Sequence, residues 1–176
     1  MAKKKDPELE QRRKQQIILA VFRLLAQTTH QSMTLDQVAA ESGLSKGLVN
    51  YYFKGKEALI VETIQFFLNH QLQDLEAVLL KDEPVEQRFD TLIHAALPSR
   101  AELEARFRFL TEVWSFAKLN DEAATTIRDS YGRYRAACEA LIEAGVREGY
   151  VDNAEQRWLF FLFYSLMDGV ALQLAL

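Results

Sequence analysis

The segment from Lys46 to Lys56 carries side chains that are suited to contacting a nucleic acid. Lys46 supplies an ammonium group, Asn50 an amide that both donates and accepts, and Tyr51 a phenol hydroxyl. At helical spacing, positions 46, 47, 50 and 51 fall on one side of a short helix. Gly47 costs about 1 kcal/mol against alanine inside a helix, but it lets the backbone approach a partner closely. This face predicts contact with the edges of a DNA groove, where Asn50 can pair bidentately with adenine.

Two further lysines, Lys54 and Lys56, lie on either side of Gly55 where the following helix is predicted to begin. Cations at that position oppose the helix dipole. They become favourable when an anion docks, and the N-terminus of a helix is itself a phosphate-binding site. Two solvated lysines beside a turn are the alternative interpretation. Because two capped helices come directly before them, we favour phosphate contact.

Two short helices are expected to position these groups. Thr34 can cap the first helix, Gly43 can end it in the left-handed conformation, and Ser45 can cap the second. So tight a connection between two capped helices predicts a helix-turn-helix. The apolar positions expected to face inward are Leu35, Val38, Ala39, Val49, Tyr52 and Phe53. The predicted DNA-contacting set is Thr34, Ser45, Lys46, Gly47, Leu48, Asn50, Tyr51, Tyr52, Lys54 and Lys56.

This segment resembles the DNA-binding domain of the TetR family of transcriptional repressors. The resemblance rests on Thr34, on the turn from Ser42 to Ser45, on the sequence from Tyr51 to Phe53, and on Lys56 at the start of the fourth helix. It covers roughly residues 10 to 60. Many members of the family carry tyrosine where this chain has Asn50. The resemblance implies a homodimeric repressor that binds a palindromic operator and is released by a small molecule.

The distribution of charge agrees with a polyanionic partner at one end of the chain. Residues 1–60 hold ten Lys and Arg against six Asp and Glu, whereas residues 61–176 hold eleven against nineteen. A basic segment joined to an acidic one suits a protein that contacts DNA through the basic part alone. The run Lys3 to Lys5 is an arm that adds DNA contacts or, alternatively, a solvated tail.

The periodicity of the whole chain predicts an all-α protein of eight helices, with an N-terminal three-helix DNA-binding domain (residues 1–55, the head) and a helical bundle for ligand binding and dimerisation (residues 56–176, the body). After the helix-turn-helix, one long helix is expected to extend from the head into the body and to act as a lever. Gly149 is expected to stop the seventh helix, and Gly145 to loosen its last turn. The helices outside the helix-turn-helix are predicted at 10–28, 57–80, 85–97, 100–119, 122–148 and 153–176.

Aromatic residues of the body suggest a small-molecule site as an alternative to a plain bundle core. Tyr and Trp carry polar groups that need partners when buried, and ligand sites are mostly apolar with a few polar groups. The body is also similar to that of the choline-responsive repressors, in the order of Trp114, Tyr131, Ile142 to Gly145, and Asp168-Gly169. That similarity implies a small cation as effector, held by cation–π attraction. The candidate ligand residues are Phe107, Trp114, Tyr131, Tyr134 and Trp158.

The segment from Trp158 to Leu176 is apolar on nearly every side, which predicts burial on more than one face. Since the body is small, we expect a second copy of the chain to cover it. The candidate interface residues are Trp158, Phe161, Leu162, Leu166 and Val170. A two-fold dimer would present its two reading helices to successive major grooves, about 34–36 Å apart. The resemblance implies one more C-terminal helix than the eight predicted from the sequence, so we expect either that this helix is absent or that the sequence stops before it.

Other classes of protein find little support in the sequence. His30, His70 and His94 lack the spacing of metal ligands, and there is no phosphate loop or nucleophile elbow. We therefore expect no enzyme activity, metal or cofactor. The first residues lack the apolar segment of a signal peptide, and no apolar run reaches the length of a membrane span. The single Cys138 cannot form an internal disulfide, so a cytoplasmic location is expected. The remaining alternative is a helical ligand-binding or scaffold protein that does not bind DNA.

Overall fold

The computed structural model describes residues 6–96 and 99–152. Within those ranges the chain forms seven α-helices and no strand, which confirms the predicted all-α class. The eighth predicted helix lies outside the described residues. The helices are α1 Pro7–Leu25, α2 Leu35–Ser42, α3 Lys46–Tyr52, α4 Lys56–Leu79, α5 Val85–Ala96, α6 Arg100–Ala117 and α7 Asp121–Arg147.

The first helix lies three residues earlier than the apolar pattern predicts. It begins at Pro7 rather than Glu10, because the Asp6 carboxylate accepts hydrogen bonds from the backbone N–H groups of Glu8 and Leu9. Proline suits this position, since it has no N–H to leave unpaired in the first turn. Apolar periodicity cannot locate such a start, because the first two turns are polar on every side except at Leu9.

A continuous apolar core joins the head to the body. Ile17 and Val21 of α1, Val38 of α2 and Val49 of α3 are fully buried, and Phe53 closes the core beneath them. The same core extends through α4 into α6 and the start of α7. No break in packing therefore marks the predicted boundary at residue 55, and the division into two domains stays a prediction.

Helix α4 spans 24 residues, or about 36 Å, and packs against both α1 and α7. This agrees with the long helix that the sequence predicts to connect the head and the body. Helices α5 and α7 are tied together near its far end, where Glu148 accepts from the Val85 N–H at 2.9 Å and from the Arg88 guanidinium at 2.8 Å. Among the helices of the described ranges, none is both long enough and apolar enough to cross a membrane.

Several helix ends lie in the body, where the sequence predicts two N-terminal caps and roles for two glycines near the end of α7. The Ser99–Glu102 capping box and the Asn120 cap are present as predicted, and Gly149 ends α7 with φ of +73°. The expectation that Gly145 loosens the last turn stays a prediction. Gly145 is buried within α7, and a Cβ built there would lie 2.8 Å from Val151 Cγ2 and 3.1 Å from Phe89 Cε2. The absence of a side chain at Gly145 allows Val151 and Phe89 to pack closely against α7.

Candidate DNA-reading site and effector region

Backbone caps fix the two helices of the helix-turn-helix. Thr34 and Gln37 form a capping box, in which Gln37 N–H donates to Thr34 Oγ1 and Thr34 N–H donates to Gln37 Oε1. Gly43 ends α2 in the left-handed conformation at φ of +66°, and Ser45 Oγ accepts from the Leu48 N–H at 3.2 Å. Every one of these contacts is made within three or four residues, so the sequence around the turn determines its shape.

Helix α3 has one buried side and one exposed side. Val49 is fully buried, whereas Lys46, Gly47 and Asn50 are exposed and Tyr51 keeps 59% of its surface accessible. Leu48 and Tyr52 are half-buried at the margins, and Thr34 and Ser45 are exposed at the two helix starts. The structure thus brings the predicted DNA-contacting side chains of α3 to one accessible face. Contact with DNA itself stays a prediction.

A salt bridge crosses this exposed face. Lys46 Nζ lies 2.8 Å from Asp36 Oδ2 of α2, and both side chains are more than half exposed. The carboxylate holds the ammonium in place but also competes with any phosphate that approaches it. Asp36 was absent from the predicted set, because its pairing depends on how α2 and α3 are arranged in space.

The two lysines before and at the start of α4 are held differently. Lys54 is exposed, whereas Lys56 is half-buried and its Nζ donates to the carbonyl oxygens of His30 and Gln31, each at 3.1 Å. An ammonium has three donors, so Lys56 retains one for a phosphate while it ties the loop before α2 to the start of α4. Gly55, at φ of +98°, turns the chain between them.

His30 forms a polar connection between the head and the body that the sequence analysis missed. Its backbone N–H donates to Glu112 Oε2 of α6 at 2.7 Å, and its Nδ1 lies 2.9 Å from the same oxygen. The imidazole is buried against the edge of Phe116, with ring centroids 5.6 Å apart. Because Lys56 holds the His30 carbonyl, the loop, α4 and α6 all meet at this residue. The two partners are 82 residues apart, so no local pattern could indicate them.

The candidate ligand residues lie mainly between α6 and α7. Trp114 Nε1–H donates to the Tyr131 hydroxyl at 3.2 Å, and Phe107 is buried with its ring edge-on to Trp114. Burial raises the pKa of Tyr134 to about 12, and burial likewise raises the pKa of the neighbouring Cys138 thiol to about 12. Trp158 and the candidate interface residues Phe161, Leu162, Leu166 and Val170 lie outside the described residues. Whether any of these side chains binds a ligand stays a prediction.

A cavity of about 290 Å³ lies on the other side of α6. Its walls include Phe22 of α1, Ile64 and Phe67 of α4, and Arg106, Phe109 and Val113 of α6. Phe107, Trp114, Tyr131 and Tyr134 are not among its lining residues within the described ranges. In those same ranges, no group of three or more His, Cys, Asp or Glu side chains is arranged to hold a metal ion.

Comparison with known proteins gives matches along both parts of the chain. Regulators named BetI from Brucella anthropi and Brucella canis are 33% and 31% identical over 85 and 86 residues. These matches cover 48% and 49% of this chain, but only 44% and 43% of the relatives. The chain thus matches less than half the length of these relatives.

Solved structures share the fold. A TetR regulator from Haloarcula marismortui superposes with a TM-score of 0.77 at 21% identity, over 93% of this chain and 86% of that one. A protein from Saccharomonospora viridis, described as a transcriptional regulator in complex with choline, gives 0.77 at 21% identity, over 91% and 83%. The model of bacterial regulatory proteins of the tetR family matches residues 17–63, and that of the BetI-type transcriptional repressor C-terminal region matches residues 85–176. The second match covers more than half of this chain. The chain therefore belongs to the TetR family of bacterial regulators and has a C-terminal region of the BetI type.

Proposed function

We propose that the protein is a DNA-binding transcriptional regulator: a homodimeric repressor that a small-molecule effector releases from a palindromic operator. The observation that carries this proposal is the exposed face of α3. Lys46, Gly47, Asn50 and Tyr51 are accessible on a helix whose opposite side is buried and whose start is capped. A rigid helix with an open polar face is suited to the major groove, where side chains contact base edges and phosphates.

Sequence preference and general affinity would come from different residues. Asn50 has the donor and acceptor geometry that pairs with adenine, so it would contribute to the choice of operator. Lys54 and the remaining donor of Lys56 would contact phosphates, which contributes to affinity on any sequence. Two copies related by a two-fold axis would place their α3 helices about 34–36 Å apart on one face of the duplex.

Release by an effector requires a connection between the body and α3, and the described contacts supply one. Helix α4 runs from the head into the body, and Glu112 of α6 holds His30 in the loop before α2. A ligand that binds one arrangement of α4 and α6 more tightly than another would shift the population of head positions. The two α3 helices would then no longer match the spacing of the grooves.

The effector is proposed from resemblance alone. The related protein from Saccharomonospora viridis was solved in complex with choline, and aromatic rings bind quaternary ammonium groups. A small cation beside Trp114 and Tyr131 is therefore a candidate. We also propose that the chain is not an enzyme, as its family consists of transcriptional regulators, and that it acts on DNA in the bacterial cytoplasm.

Selection of bound duplexes from a random pool tests the proposal directly. We expect enrichment of a palindrome whose half-sites lie about one helical turn apart. Fluorescence anisotropy with the enriched duplex should show affinity that falls steeply as salt increases, because phosphate contacts release counterions. A protein that leaves the pool unenriched and binds no duplex even at low salt would instead be a helical ligand-binding or scaffold protein.

A further inference from the structure

We infer that the cavity between α1, α4, α5 and α6 binds a small carboxylate with an apolar body, and that the head senses this ligand through Phe22. The regulatory part of this inference rests on the proposed function, whereas the binding part does not. The site differs from the aromatic group between α6 and α7, because its walls include a helix of the head.

The size and lining of the cavity define the apolar part of the ligand. A volume of about 290 Å³ holds roughly ten carbon-sized groups at the packing density of protein interiors. Ile64, Phe67 and Leu68 of α4 and Phe109, Leu110 and Val113 of α6 supply apolar walls. A medium-length alkyl chain or a phenyl ring with a short chain matches these dimensions and this chemistry.

Arg106 defines the polar part of the ligand. It lines the cavity and is half-buried, no hydrogen bond or salt bridge of its guanidinium is found within the described ranges, and its charge also acts on Tyr134 of α7. The guanidinium is always charged and binds carboxylates through two parallel N–H donors. Glu102, the acidic residue of the lining, already accepts from the backbone N–H and hydroxyl of Ser99 in the capping box. Arg106 is thus the cation of the lining that a carboxylate ligand can engage.

Three aromatic rings connect this cavity to the rest of the protein. Phe22 of α1 stacks on Phe67 of α4 with ring centroids 4.6 Å apart, and it lies 4.9 Å from Phe109 of α6. Phe67 and Phe109 are 5.2 Å apart. All three rings line the cavity, so an occupant would touch the head, the long helix and the body at once. Movement of Phe22 relative to Phe109 would change the position of α1, against which α2 packs.

Isothermal titration calorimetry with octanoate tests the binding part. Octan-1-ol and octyltrimethylammonium have the same chain with a neutral or a cationic end, so they isolate the contribution of charge. We expect octanoate to bind more tightly than either. Arg106→Gln should weaken octanoate binding about tenfold and leave octanol binding unchanged, because only the charge-assisted contact is lost. Equal binding of octanoate by wild type and Arg106→Gln, or tighter binding of the cation, would overturn the inference.

Two further variants test whether octanoate binds in this cavity and whether the charge of Arg106 in particular is needed. Arg108→Gln removes an exposed guanidinium from the same helix and should leave octanoate binding as in the wild type. Ala95→Trp adds a large side chain to the lining at an exposed position of α5 and should weaken binding of octanoate and octanol alike. Unchanged octanoate binding by Ala95→Trp would show that the ligand sits elsewhere.

The regulatory part needs the operator duplex. Octanoate should lower operator affinity of the wild type, and it should lower that of Phe22→Leu less when both proteins are compared at octanoate concentrations that calorimetry shows to be saturating for each. If octanoate binds but operator affinity does not change, the sensing role of Phe22 is wrong although the site stands. If no duplex is bound at all, the proposed function fails, and calorimetry with the Arg106→Gln variant still decides whether the site exists.

Discussion

Helices α3 and α6 both carry polar residues beside aromatic ones, but they hold them in different ways. The start of α3 is fixed by the Ser45 cap three residues from Leu48, and Lys46 and Asn50 of that helix remain accessible. On α6, by contrast, Glu112 is held by His30 from a loop of the head, and the Trp114 indole N–H is held by Tyr131 of α7. The difference indicates that α3 is open to an external partner, whereas α6 connects parts of the same chain.

Reversing a charge on α3 should have the largest effect on DNA binding. Lys46→Glu removes a cation from the exposed face and places a carboxylate opposite phosphates. We expect operator affinity to fall on the order of 100-fold at low salt, measured by fluorescence anisotropy. Lys118→Glu, a charge reversal at the exposed residue that follows α6, is the control and should have little effect. Similar losses for both variants would mean that net charge, and not the face of α3, determines binding.

Removing the acceptor on α6 should destabilise the connection between head and body. Glu112→Leu leaves the buried N–H of His30 without a partner, which costs about 1–3 kcal/mol of the free energy of unfolding. Glu112→Gln keeps an acceptor oxygen and should cost less. Urea denaturation provides the measurement, with the exposed change Glu143→Leu on α7 as the control. A stability for Glu112→Leu equal to that of the wild type would show that the contact contributes nothing.

The two glycines of α7 offer a matched pair in the body. Gly145→Ala forces a methyl group against Val151 and Phe89, so we expect a net loss of about 1 kcal/mol after the gain in helix propensity. Gly132→Ala meets nothing within 4 Å, and it should stabilise the helix by up to about 1 kcal/mol. Thermal unfolding of the two variants should therefore shift in opposite directions. Shifts of the same sign would contradict the close packing at Gly145.

Releasing Lys46 from its salt bridge should have a smaller effect. Asp36→Asn removes the carboxylate that competes with phosphate, so operator affinity should rise about threefold at low salt. The dependence of affinity on salt should become steeper, because one more cation is free to displace counterions. Lower affinity in this variant would indicate that Asp36 positions Lys46 for contact instead of competing for it.

The smallest expected effect concerns alkaline pH. Burial raises the pKa of the Cys138 thiol from 9.0 to about 12, so the folded state disfavours the thiolate. The stabilisation is complete below pH 9, where the thiol is neutral in both states, and it is lost as the pH rises towards 12. Chemical denaturation between pH 8 and 11 should show falling stability, with a shallower decline in Cys138→Ala. Tyr134, whose pKa burial also raises to about 12, contributes in the same direction.

The sequence predicted contacts between residues that are close in the chain, but not contacts between distant ones. The caps at Thr34, Ser45 and Ser99 act over three residues, so residue type and spacing alone located them. The contacts of His30 with Glu112 and of Lys56 with the loop before α2 join residues 82 and 26 apart. Such pairs depend on how helices pack, which no local pattern specifies. For the same reason, the sequence identified aromatic residues of α6 but not which of them line the cavity.

The contact between His30 and Glu112 implies an asymmetric tolerance to variation. One of the two bonds comes from the main chain of residue 30, and every amino acid except proline supplies that N–H group. In a saturation library, position 30 should therefore accept a range of apolar and polar replacements that fit beside Phe116. Position 112 should accept only residues that bring an acceptor to the same place. The two partners of one contact would then differ in the number of amino acids that they accept. Position 112, on α6 in the body, would accept fewer than position 30, although it is expected to lie farther from DNA.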